Sequence, residues 1–447
     1  MSVLLLGSGF VAKPCLDLLV QSRHKFKVTV ACRTLSKAKE LIRGVSRADA
    51  ISLDVENEKA LDAAVGKSDI VISLIPYVYH ALVIKSAIRN KKSVVTTSYV
   101  SPAMLKLDEE AKKAGITVMK EIGLDPGIDH LYAIKTIDEV HAAGGKILSF
   151  LSYCGGLPAP EDSDNPLGYK FAWSPRGFLL AVGNSARFYE DGNIQDIEGS
   201  QLMKSAKPYF IYPGYAFVAY PNRDSTTYKE RYGIPEAKTI LRGTLRYQGF
   251  PQFIRVLADI GLLSEQPSNA FAAALISKWK DVLAKHLGAS SSSEKDLIWA
   301  ISSKTTFDST EDKDRIMNGL RWLGLFSSKD MKTRGNPLDT LCATFEEKMQ
   351  YEKSERDFVL LQHKFDIEHK DGSRETKTST LIEYGNPDGY TAMGRLVGVP
   401  CAVATEMVYE GTIKTRGILA PMDVSLASTL RKALQKYGIN MIEKTIA

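Results

Sequence analysis

The stretch Leu4-Leu5-Leu6-Gly7-Ser8-Gly9-Phe10-Val11-Ala12 decides the fold of the first part of the chain. An apolar run enters a Gly-x-Gly-x-x-Ala turn, and a helical pattern follows it. Gly7 permits the tight turn, Gly9 lets the backbone approach a pyrophosphate, and Ala12 is small enough for close packing of helix on strand. The free N–H groups of the helix N-terminus favour an anion. The stretch therefore predicts a dinucleotide-binding strand–turn–helix; the alternative is an ordinary turn that binds no ligand.

The end of the second predicted strand distinguishes between the two nicotinamide dinucleotides. It reads Cys32-Arg33-Thr34 and lacks the acidic residue that usually holds the ribose hydroxyls of NAD. A guanidinium can instead pair with a 2′-phosphate through two parallel hydrogen bonds. Arg33 therefore predicts NADP(H) as the cofactor, with a solvated surface arginine as the alternative.

Composition limits the class of protein. The 447 residues, 44% of them apolar and 25% charged, predict a globular protein of two or three domains. The net charge of +6 is spread along the chain, which favours small anionic ligands and argues against a nucleic-acid partner. No apolar run is long enough for a membrane span, and the apolar start lacks the basic region of a signal peptide. Five scattered cysteines predict reduced thiols, no metal site and a cytoplasmic location.

Secondary-structure patterns divide the chain into parts. Residues 1–122 alternate short apolar strands with helices, which predicts an α/β, Rossmann-type doubly wound parallel sheet with ligands at the carboxyl ends of its strands. After residue 123, a mainly antiparallel α+β domain is predicted, with strands at 146–154, 215–220, 239–247, 357–368 and 374–384. Residues 252–355 show helical periodicity without a convincing strand. A helix from about residue 390 is expected to return to the first domain.

The loop from Glu121 to Gly127 follows the sixth predicted strand and carries a candidate catalytic carboxylate. Asp125 is expected at the mouth of the cofactor cleft, where it would bind a substrate amine or assist proton transfer. The alternative is an aspartate that caps the next helix. For Asp129 and His130, a structural role is favoured.

Arginines on two predicted strands are candidates for binding carboxylates. Arg223 follows the strand that ends near Pro221, and its alternative role is a surface ion pair with Asp224. In the strand 239–247, alternation places Arg242, Thr244 and Arg246 on one face, as an anion platform or as a solvated polar face. No catalytic triad or paired-carboxylate pattern appears, so the chemistry is expected to belong to the cofactor. Several arginines imply a substrate with more than one carboxylate.

Longer motifs resemble the saccharopine reductases, the NADP-dependent, L-glutamate-forming saccharopine dehydrogenases. The resemblance covers essentially the whole chain and rests on these segments: LLLGSGFVA (4–12), VTVACRTL (28–35), VISLIPY (71–77), EIGLDPGIDHLYA (121–133), SYCGGLPAPEDSDNPLGYKF (152–171), YPGYAFVAYPNRDS (212–225) and RGTLRYQGFP (242–251). It implies three domains: a Rossmann NADP-binding domain (1–122 plus 390–447), an α+β substrate-binding and dimerisation domain (123–251 plus 356–389) and a helical insert (252–355).

The resemblance also implies the ligands and their sites. NADPH would contact Gly7, Ser8, Gly9, Phe10, Val11, Cys32, Arg33, Thr34, Asp54, Val55, Leu74 and Ile75. Saccharopine would contact Ser98, Tyr99, Asp125, Arg223, Thr244, Leu245 and Arg246.

The expected activity is the reduction, with NADPH, of the imine of glutamate and L-2-aminoadipate 6-semialdehyde to saccharopine in lysine biosynthesis by the α-aminoadipate pathway. The expected assembly is a homodimer. Asp125 and Tyr99 are the best candidates for the general acid, although imine formation need not use a side-chain catalyst. The alternatives are a related imine reductase, such as a carboxynorspermidine or opine-type dehydrogenase, and a catalytically silent NADP sensor. A basic pocket argues against a polyamine substrate, and the arginine motifs argue against a sensor.

Overall fold

The computed structural model describes residues 1–171, 174–272 and 276–446. Its internal contacts divide the chain into two compact units. Unit 1 contains Met1–Ser149, Tyr228–Ala237 and Leu361–Ala447, and unit 2 contains Phe150–Thr227 and Lys238–Leu360. The division into three domains that the sequence implies stays a prediction.

The elements follow one another along the described chain. The strands are β1 (Ser2–Leu6), β2 (Lys27–Cys32), β3 (Ala48–Ser52), β4 (Ile70–Ser73), β5 (Ser93–Thr96), β6 (Thr117–Met119), β7 (Lys146–Pro158), β8 (Ala186–Glu190), β9 (Asn193–Ile197), β10 (Lys207–Pro208), β11 (Phe217–Pro221), β12 (Thr239–Tyr247), β13 (Ile276–Lys278), β14 (Asp330–Lys332), β15 (Asp357–Glu368), β16 (Arg374–Tyr384), β17 (Gly417–Leu419) and β18 (Ile442–Thr445). The helices are α1 (Ala12–Gln21), α2 (Leu35–Leu41), α3 (Glu58–Gly66), α4 (His80–Asn90), α5 (Pro102–Leu105), α6 (Asp108–Lys113), α7 (Ile128–Ala142), α8 (Pro175–Ala181), α9 (Tyr228–Arg231), α10 (Phe250–Asp259), α11 (Trp279–Leu287), α12 (Glu294–Ser302), α13 (Thr310–Leu323), α14 (Pro337–Lys348), α15 (Ala392–Tyr409) and α16 (Val424–Gln435).

Unit 1 contains a parallel sheet with the strand order β17-β6-β5-β4-β1-β2-β3. Strand β1 pairs with β2 on one side and with β4 on the other, so the strand order reverses at β1. The residues of β4 are all buried, as expected for a parallel sheet covered on both faces. In such a sheet, ligands bind outside the carboxyl ends of the strands at the point of reversal. The predicted Rossmann-type α/β fold is therefore confirmed.

The C-terminal part of the chain completes this sheet and its helical layer. Strand β17, which the sequence analysis missed, pairs in parallel with β6, with Ile418 opposite Val118. Helix α15 packs on α1, as predicted, and Gly398 makes the close approach possible. A Cβ at Gly398 would lie 2.7 Å from the carbonyl oxygen of Val11, so a larger side chain would push α15 away from the glycine turn.

The second sheet has the order β10-β11-β12-β7-β15-β16-β18, and β8 and β9 extend it from β12. Strands β10 to β12 pair antiparallel, as do β16 and β18. The five strands predicted here are present, although β7 continues to Pro158 and β11 begins at Phe217. The α+β character predicted for this part of the chain is therefore confirmed.

The described residues between 252 and 355 are mainly helical, as predicted, and include most of α10 and helices α11 to α14. The expectation that this region contains no strand was wrong, because β13 and β14 pair antiparallel with Ser277 opposite Met331. Strands of three residues are too short to give a readable alternation. Within the described chain, no helix is long and apolar enough to cross a membrane.

Candidate functional site

The turn between β1 and α1 has the geometry of a phosphate-binding loop. Gly7 has φ +108°, and a Cβ there would lie 2.6 Å from the carbonyl oxygen of Leu74, so only glycine fits. A Cβ at Gly9 would meet nothing within 4 Å, and this side of the turn is open to a ligand. Val11 precedes α1 without a side-chain cap. A pyrophosphate would therefore fit at the helix N-terminus, as the sequence analysis predicts.

Residues at the end of β2 lie against this turn. The hydroxyl of Ser8 donates to Sγ of Cys32 over 3.2 Å, and the Cys32 thiol donates to the carbonyl of Thr34 over 3.0 Å. The side chain of Arg33 is exposed. Among the residues that the structure describes, no carboxylate pairs with the Arg33 guanidinium. A cation without an internal partner beside the turn suits the 2′-phosphate of NADP.

The remaining residues expected to contact the cofactor lie at the ends of β3 and β4. The N–H of Leu74 donates to the carbonyl of Leu6 over 2.8 Å, which joins the ends of β4 and β1. Ile75 is half-buried. Strand β3 ends at Ser52, and Asp54 and Val55 lie just beyond its carboxyl end. The connection stays close to the turn, because the N–H of Leu53 donates to the carbonyl of Cys32 over 3.0 Å.

Asp125 and Tyr99 meet directly in unit 1. The Tyr99 hydroxyl donates to Oδ1 of Asp125 over 2.7 Å, and both residues are half-buried. The N-cap of α7 is Gly127, which has no side-chain cap. The capping role considered for Asp125 is therefore not the one it plays in the structure. A phenol hydrogen-bonded to a carboxylate can hold or relay a proton.

A buried histidine that the sequence analysis did not single out supports the same region. His80 begins α4, and its Nδ1 lies 2.9 Å from the hydroxyl of Ser73, while its Nε2 lies 2.9 Å from the hydroxyl of Ser98. Burial lowers the pKa of His80 to about 3, and the charge of Lys120 adds to this shift. The neutral ring thereby connects the end of β4 to Ser98, a residue expected to contact the substrate. Its place three residues after the segment VISLIPY (71–77) was the available sequence signal.

A second buried network surrounds Glu121. Nε2 of His130 lies 2.8 Å from Oε2 of Glu121, and Nη2 of Arg231 lies 2.9 Å from the same oxygen. Nδ1 of His130 lies 2.7 Å from the hydroxyl of Tyr232. Burial alone would raise the pKa of Glu121, but the hydrogen bond from His130 and the charges of His130 and Arg231 hold it at about 2. His130 is thus held in a buried hydrogen-bond network, and the structural role favoured for it stays a prediction.

Lys120 lies directly after β6 and is fully buried. Its Nζ has no hydrogen-bond partner among the described residues. Burial lowers the pKa of this amine to about 7, although the neighbouring Glu121 carboxylate opposes the shift. The residue is a costly feature at the carboxyl end of the parallel sheet.

In unit 2, Arg246 lies on β12 inside an aromatic box formed by Tyr169, Phe178 and Phe250. The centre of its guanidinium lies 5.1 Å from the Tyr169 ring centroid and 5.4 Å from each of the other two. Only 8% of the residue is exposed, and Nε has no hydrogen-bond partner among the described residues. Nη1 donates to the carbonyl of Leu245 over 2.7 Å. A desolvated guanidinium with spare donors is suited to a carboxylate ligand.

The other predicted substrate residues of unit 2 lie close to Arg246 along the sheet. Strand β11 pairs with β12 so that Tyr220 is opposite Thr244. Leu245 is fully buried, and Thr244 is half-buried. Arg223 follows β11, is exposed and has φ +57°. The carboxylate of Asp224 accepts hydrogen bonds from the N–H and the hydroxyl of Thr226.

Metal-binding clusters and disulfides do not contribute to the site within the described part of the chain. There, no group of three or more His, Cys, Asp or Glu could hold a metal ion. The cysteines are free thiols: Cys15, Cys32, Cys154, Cys342 and Cys401. The described chain therefore offers a dinucleotide turn, a phenol–carboxylate pair and a buried guanidinium as its chemical groups.

The fold and the glycine turn define an NADP-binding oxidoreductase of the Rossmann type. Family comparison supports this class: residues 3–119 match the saccharopine dehydrogenase NADP-binding domain, and residues 123–439 match the saccharopine dehydrogenase C-terminal domain. The chain belongs to the saccharopine dehydrogenase family, and within it to the NADP(+)-dependent, L-glutamate-forming group. The predicted resemblance and the predicted cofactor are therefore confirmed.

Individual relatives align over the full chain. The saccharopine dehydrogenase [NADP(+), L-glutamate-forming] of Pyricularia oryzae is 65% identical over 100% of this chain and 99% of its own length. The protein of the same name from Saccharomyces cerevisiae is 58% identical, again over 100% of this chain and 99% of its own length. A solved structure of the apo, histidine-tagged Saccharomyces cerevisiae enzyme covers 100% of both chains with a TM-score of 0.91. The mitochondrial alpha-aminoadipic semialdehyde synthase of Bos taurus is 37% identical over 98% of this chain, which corresponds to 47% of that protein.

Proposed function

We propose that the protein reduces the imine formed between the amine of L-glutamate and the aldehyde of L-2-aminoadipate 6-semialdehyde, and so produces saccharopine for lysine biosynthesis. The reaction consumes one NADPH and one proton for each C=N bond that becomes a CH–NH bond. Relatives that align over the full chain carry the name of this activity.

The observation that carries the proposal is the desolvated guanidinium of Arg246. Saccharopine has three carboxylates, and a buried arginine whose Nε is without a partner among the described residues can bind one of them. We assign Arg223, Thr244 and Leu245 to the same substrate. Ser98, Tyr99 and Asp125 are further contacts that the family resemblance proposes.

The residues of the glycine turn fit NADPH, which supplies the hydride when it is bound. Gly7 and Gly9 allow the backbone to approach the pyrophosphate, and the N-terminus of α1 offers N–H groups to it. Arg33 would bind the 2′-phosphate. Leu74 and Ile75 lie at the end of β4, beside the turn.

Asp125 and Tyr99 are the groups that we propose for proton transfer. The Tyr99 hydroxyl and the Asp125 carboxylate are joined by a hydrogen bond of 2.7 Å. After Tyr99 has given up its proton, a new proton can reach it through this carboxylate. When the C=N bond is reduced, its carbon takes up a hydride and its nitrogen takes up a proton. This pair would donate the proton. The contribution of such a group is typically about 10²–10⁴-fold in rate.

The proposal includes a homodimer in the cytoplasm. The five free thiols support a reducing compartment, and the dimer rests on the sequence resemblance alone. Light scattering of the purified protein and the location of a fluorescent fusion in cells would test these two statements.

The test of the activity is NADP reduction with saccharopine, followed by NADPH absorbance, in parallel with carboxynorspermidine and opine-type substrates. We expect turnover with saccharopine alone. Turnover with a polyamine-derived substrate would favour the related imine reductase. NADPH binding without turnover of any of them would favour the sensor.

A further inference from the structure

Buried side chains hold the short segment from Ser98 to Val100 at both of its ends. The carboxylate Oε1 of Glu121 accepts a hydrogen bond from the N–H of Val100 over 2.9 Å. The N–H of Glu121 donates to the carbonyl of Ser98 over 3.2 Å. Nε2 of His80 lies 2.9 Å from the Ser98 hydroxyl. Tyr99 lies between the two held residues.

Glu121 adopts a conformation that must be stabilised by its surroundings. It has φ +59°, a left-handed conformation that residues other than glycine rarely adopt, and it is fully buried. Such conformations persist where neighbouring groups determine them and are concentrated at functional sites. Here, the carboxylate oxygens are bound by His130 and Arg231 as well as by the Val100 N–H. An ionised carboxylate is thus fixed in one orientation.

This arrangement determines where the Tyr99 hydroxyl lies. The segment that carries Tyr99 is fastened to Glu121, and Asp125 follows Glu121 in the same loop. That loop is closed by the hydrogen bond from the N–H of Gly123 to the carbonyl of Pro126, over 3.0 Å. The positions of both Tyr99 and Asp125 therefore depend on the buried carboxylate of Glu121.

We propose that Glu121 is a positioning residue for the reaction: with His130 and Arg231, it holds the Ser98–Val100 segment so that the Tyr99 hydroxyl stays against Asp125. This inference rests on the proposed function, because it assigns the role of Glu121 through Tyr99 and Asp125. Glu121 itself is fully buried, so the role assigned to it is indirect.

Two substitutions separate positioning from general stability. In Glu121→Gln, the amide oxygen can still accept from the Val100 N–H, whereas Glu121→Ala removes the acceptor. We expect kcat to fall about tenfold or more in Glu121→Ala, with partial recovery in Glu121→Gln and little change in the KM for NADPH. Glu410 offers a matched control, because its carboxylate also binds a histidine and an arginine, His24 and Arg23, at the far end of α15. Glu410→Gln should leave kcat unchanged.

Hydrogen exchange gives a readout that needs no turnover. The Val100 amide should exchange faster in Glu121→Ala than in wild type, and Glu121→Gln should restore much of its protection. Faster exchange with an unchanged kcat would overturn the proposal, as would a kcat that falls equally in Glu121→Ala and Glu121→Gln while NADPH binding is intact. If Glu121→Ala does not fold, an unchanged kcat and unchanged Val100 exchange in both His130→Gln and Arg231→Gln, which remove the groups that hold the Glu121 carboxylate, would overturn it. A wild-type protein that does not turn over saccharopine would contradict the proposed function instead, and exchange at Val100 would still test the contact.

Discussion

The hydroxyl of Tyr99 donates a hydrogen bond of 2.7 Å to Oδ1 of Asp125, whereas the N-cap position of α7 belongs to Gly127. Asp125 therefore accepts a hydrogen bond from the Tyr99 phenol and does not cap helix α7. The pair is half-buried, at the carboxyl end of the parallel sheet where ligands of this fold bind.

Asp125→Asn should lower kcat by about 10²-fold and change the pH dependence of kcat, because the carboxylate that accepts the hydrogen bond from the Tyr99 hydroxyl is removed. Tyr99→Phe should have a similar effect, and the double variant should be little worse than either, since the two residues act as a unit. The effect would be measured as kcat with saccharopine at pH values from about 5 to 9, which is about two units on either side of neutrality. A normal profile for Asp125→Asn would remove this residue from the proton-transfer step.

Arg246→Ala should raise the KM for saccharopine by about ten- to a hundredfold, because a charge-assisted hydrogen bond contributes about 1.5–3 kcal/mol. Arg223→Ala should have an effect in the same direction. Arg176 is a suitable control, because it is paired with Glu265 and Asp339 within unit 2. An unchanged KM for saccharopine in both Arg246→Ala and Arg223→Ala would contradict the assignment of these arginines to substrate carboxylates.

Arg33→Asp should raise the KM for NADPH by about tenfold or more and change the KM for NADH much less, because only NADPH carries the 2′-phosphate. Arg43, an exposed arginine that follows α2, provides a matched charge reversal away from the glycine turn. Steady-state kinetics with each cofactor would measure the effect. If Arg33→Asp raised the KM for NADPH and the KM for NADH equally, Arg33 would not bind the 2′-phosphate.

His80 should make the protein sensitive to acid. Its pKa is about 3 in the folded protein against an ordinary value of 6.5, so between these values the unfolded chain binds a proton that the folded protein does not. The free energy of unfolding is unaffected by this group above about pH 6.5 and falls by about 1.4 kcal/mol per pH unit as the pH drops toward about 3.

His80→Gln should remove that slope, although it also changes the bonds to Ser73 and Ser98. Urea denaturation of wild type and variant at several pH values between about 4 and 7 would give the free energy of unfolding of each protein as a function of pH. This range covers about two to three pH units below the ordinary pKa of histidine. Parallel slopes for the two proteins would mean that His80 is already protonated in the folded state.

The sequence was most informative where the chain obeys a local rule. The Gly7–Ala12 turn and the strands 357–368 and 374–384, which the Asp371-Gly372 pair joins, are predicted from adjacent residues. The alternation expected along β12 is not seen in its burial, because residues 240–243 are all buried, and the solvated polar face considered for Arg242 and Arg246 is wrong. The hairpin of β8 and β9 was missed although Asp191-Gly192 carries the same signal, and its register places Glu190 opposite Asn193. The edge strand β17 was missed because three residues give no alternation.

The residues of the candidate site likewise include some that local sequence predicts and some that it does not. Asp125 and the arginines could be proposed from residue type and motif. The connections of His80 to Ser73 and Ser98, and of Glu121 to Arg231, could not, because no local pattern in the sequence encodes them. The aromatic box around Arg246 likewise depends on Tyr169, Phe178 and Phe250 coming together from separate parts of the chain.

The late position of α15 and β17 in the chain matters for synthesis. Residues 1–122 emerge from the ribosome with an uncovered β6 edge and with the buried face of α1 still without the helix that packs on it. Unpaired strand edges and exposed apolar faces are what make nascent chains prone to aggregate. The cofactor-binding unit can be completed only when residues 392–419 have been made, so during translation residues 1–122 must wait for a segment that lies about 270 residues further along the chain.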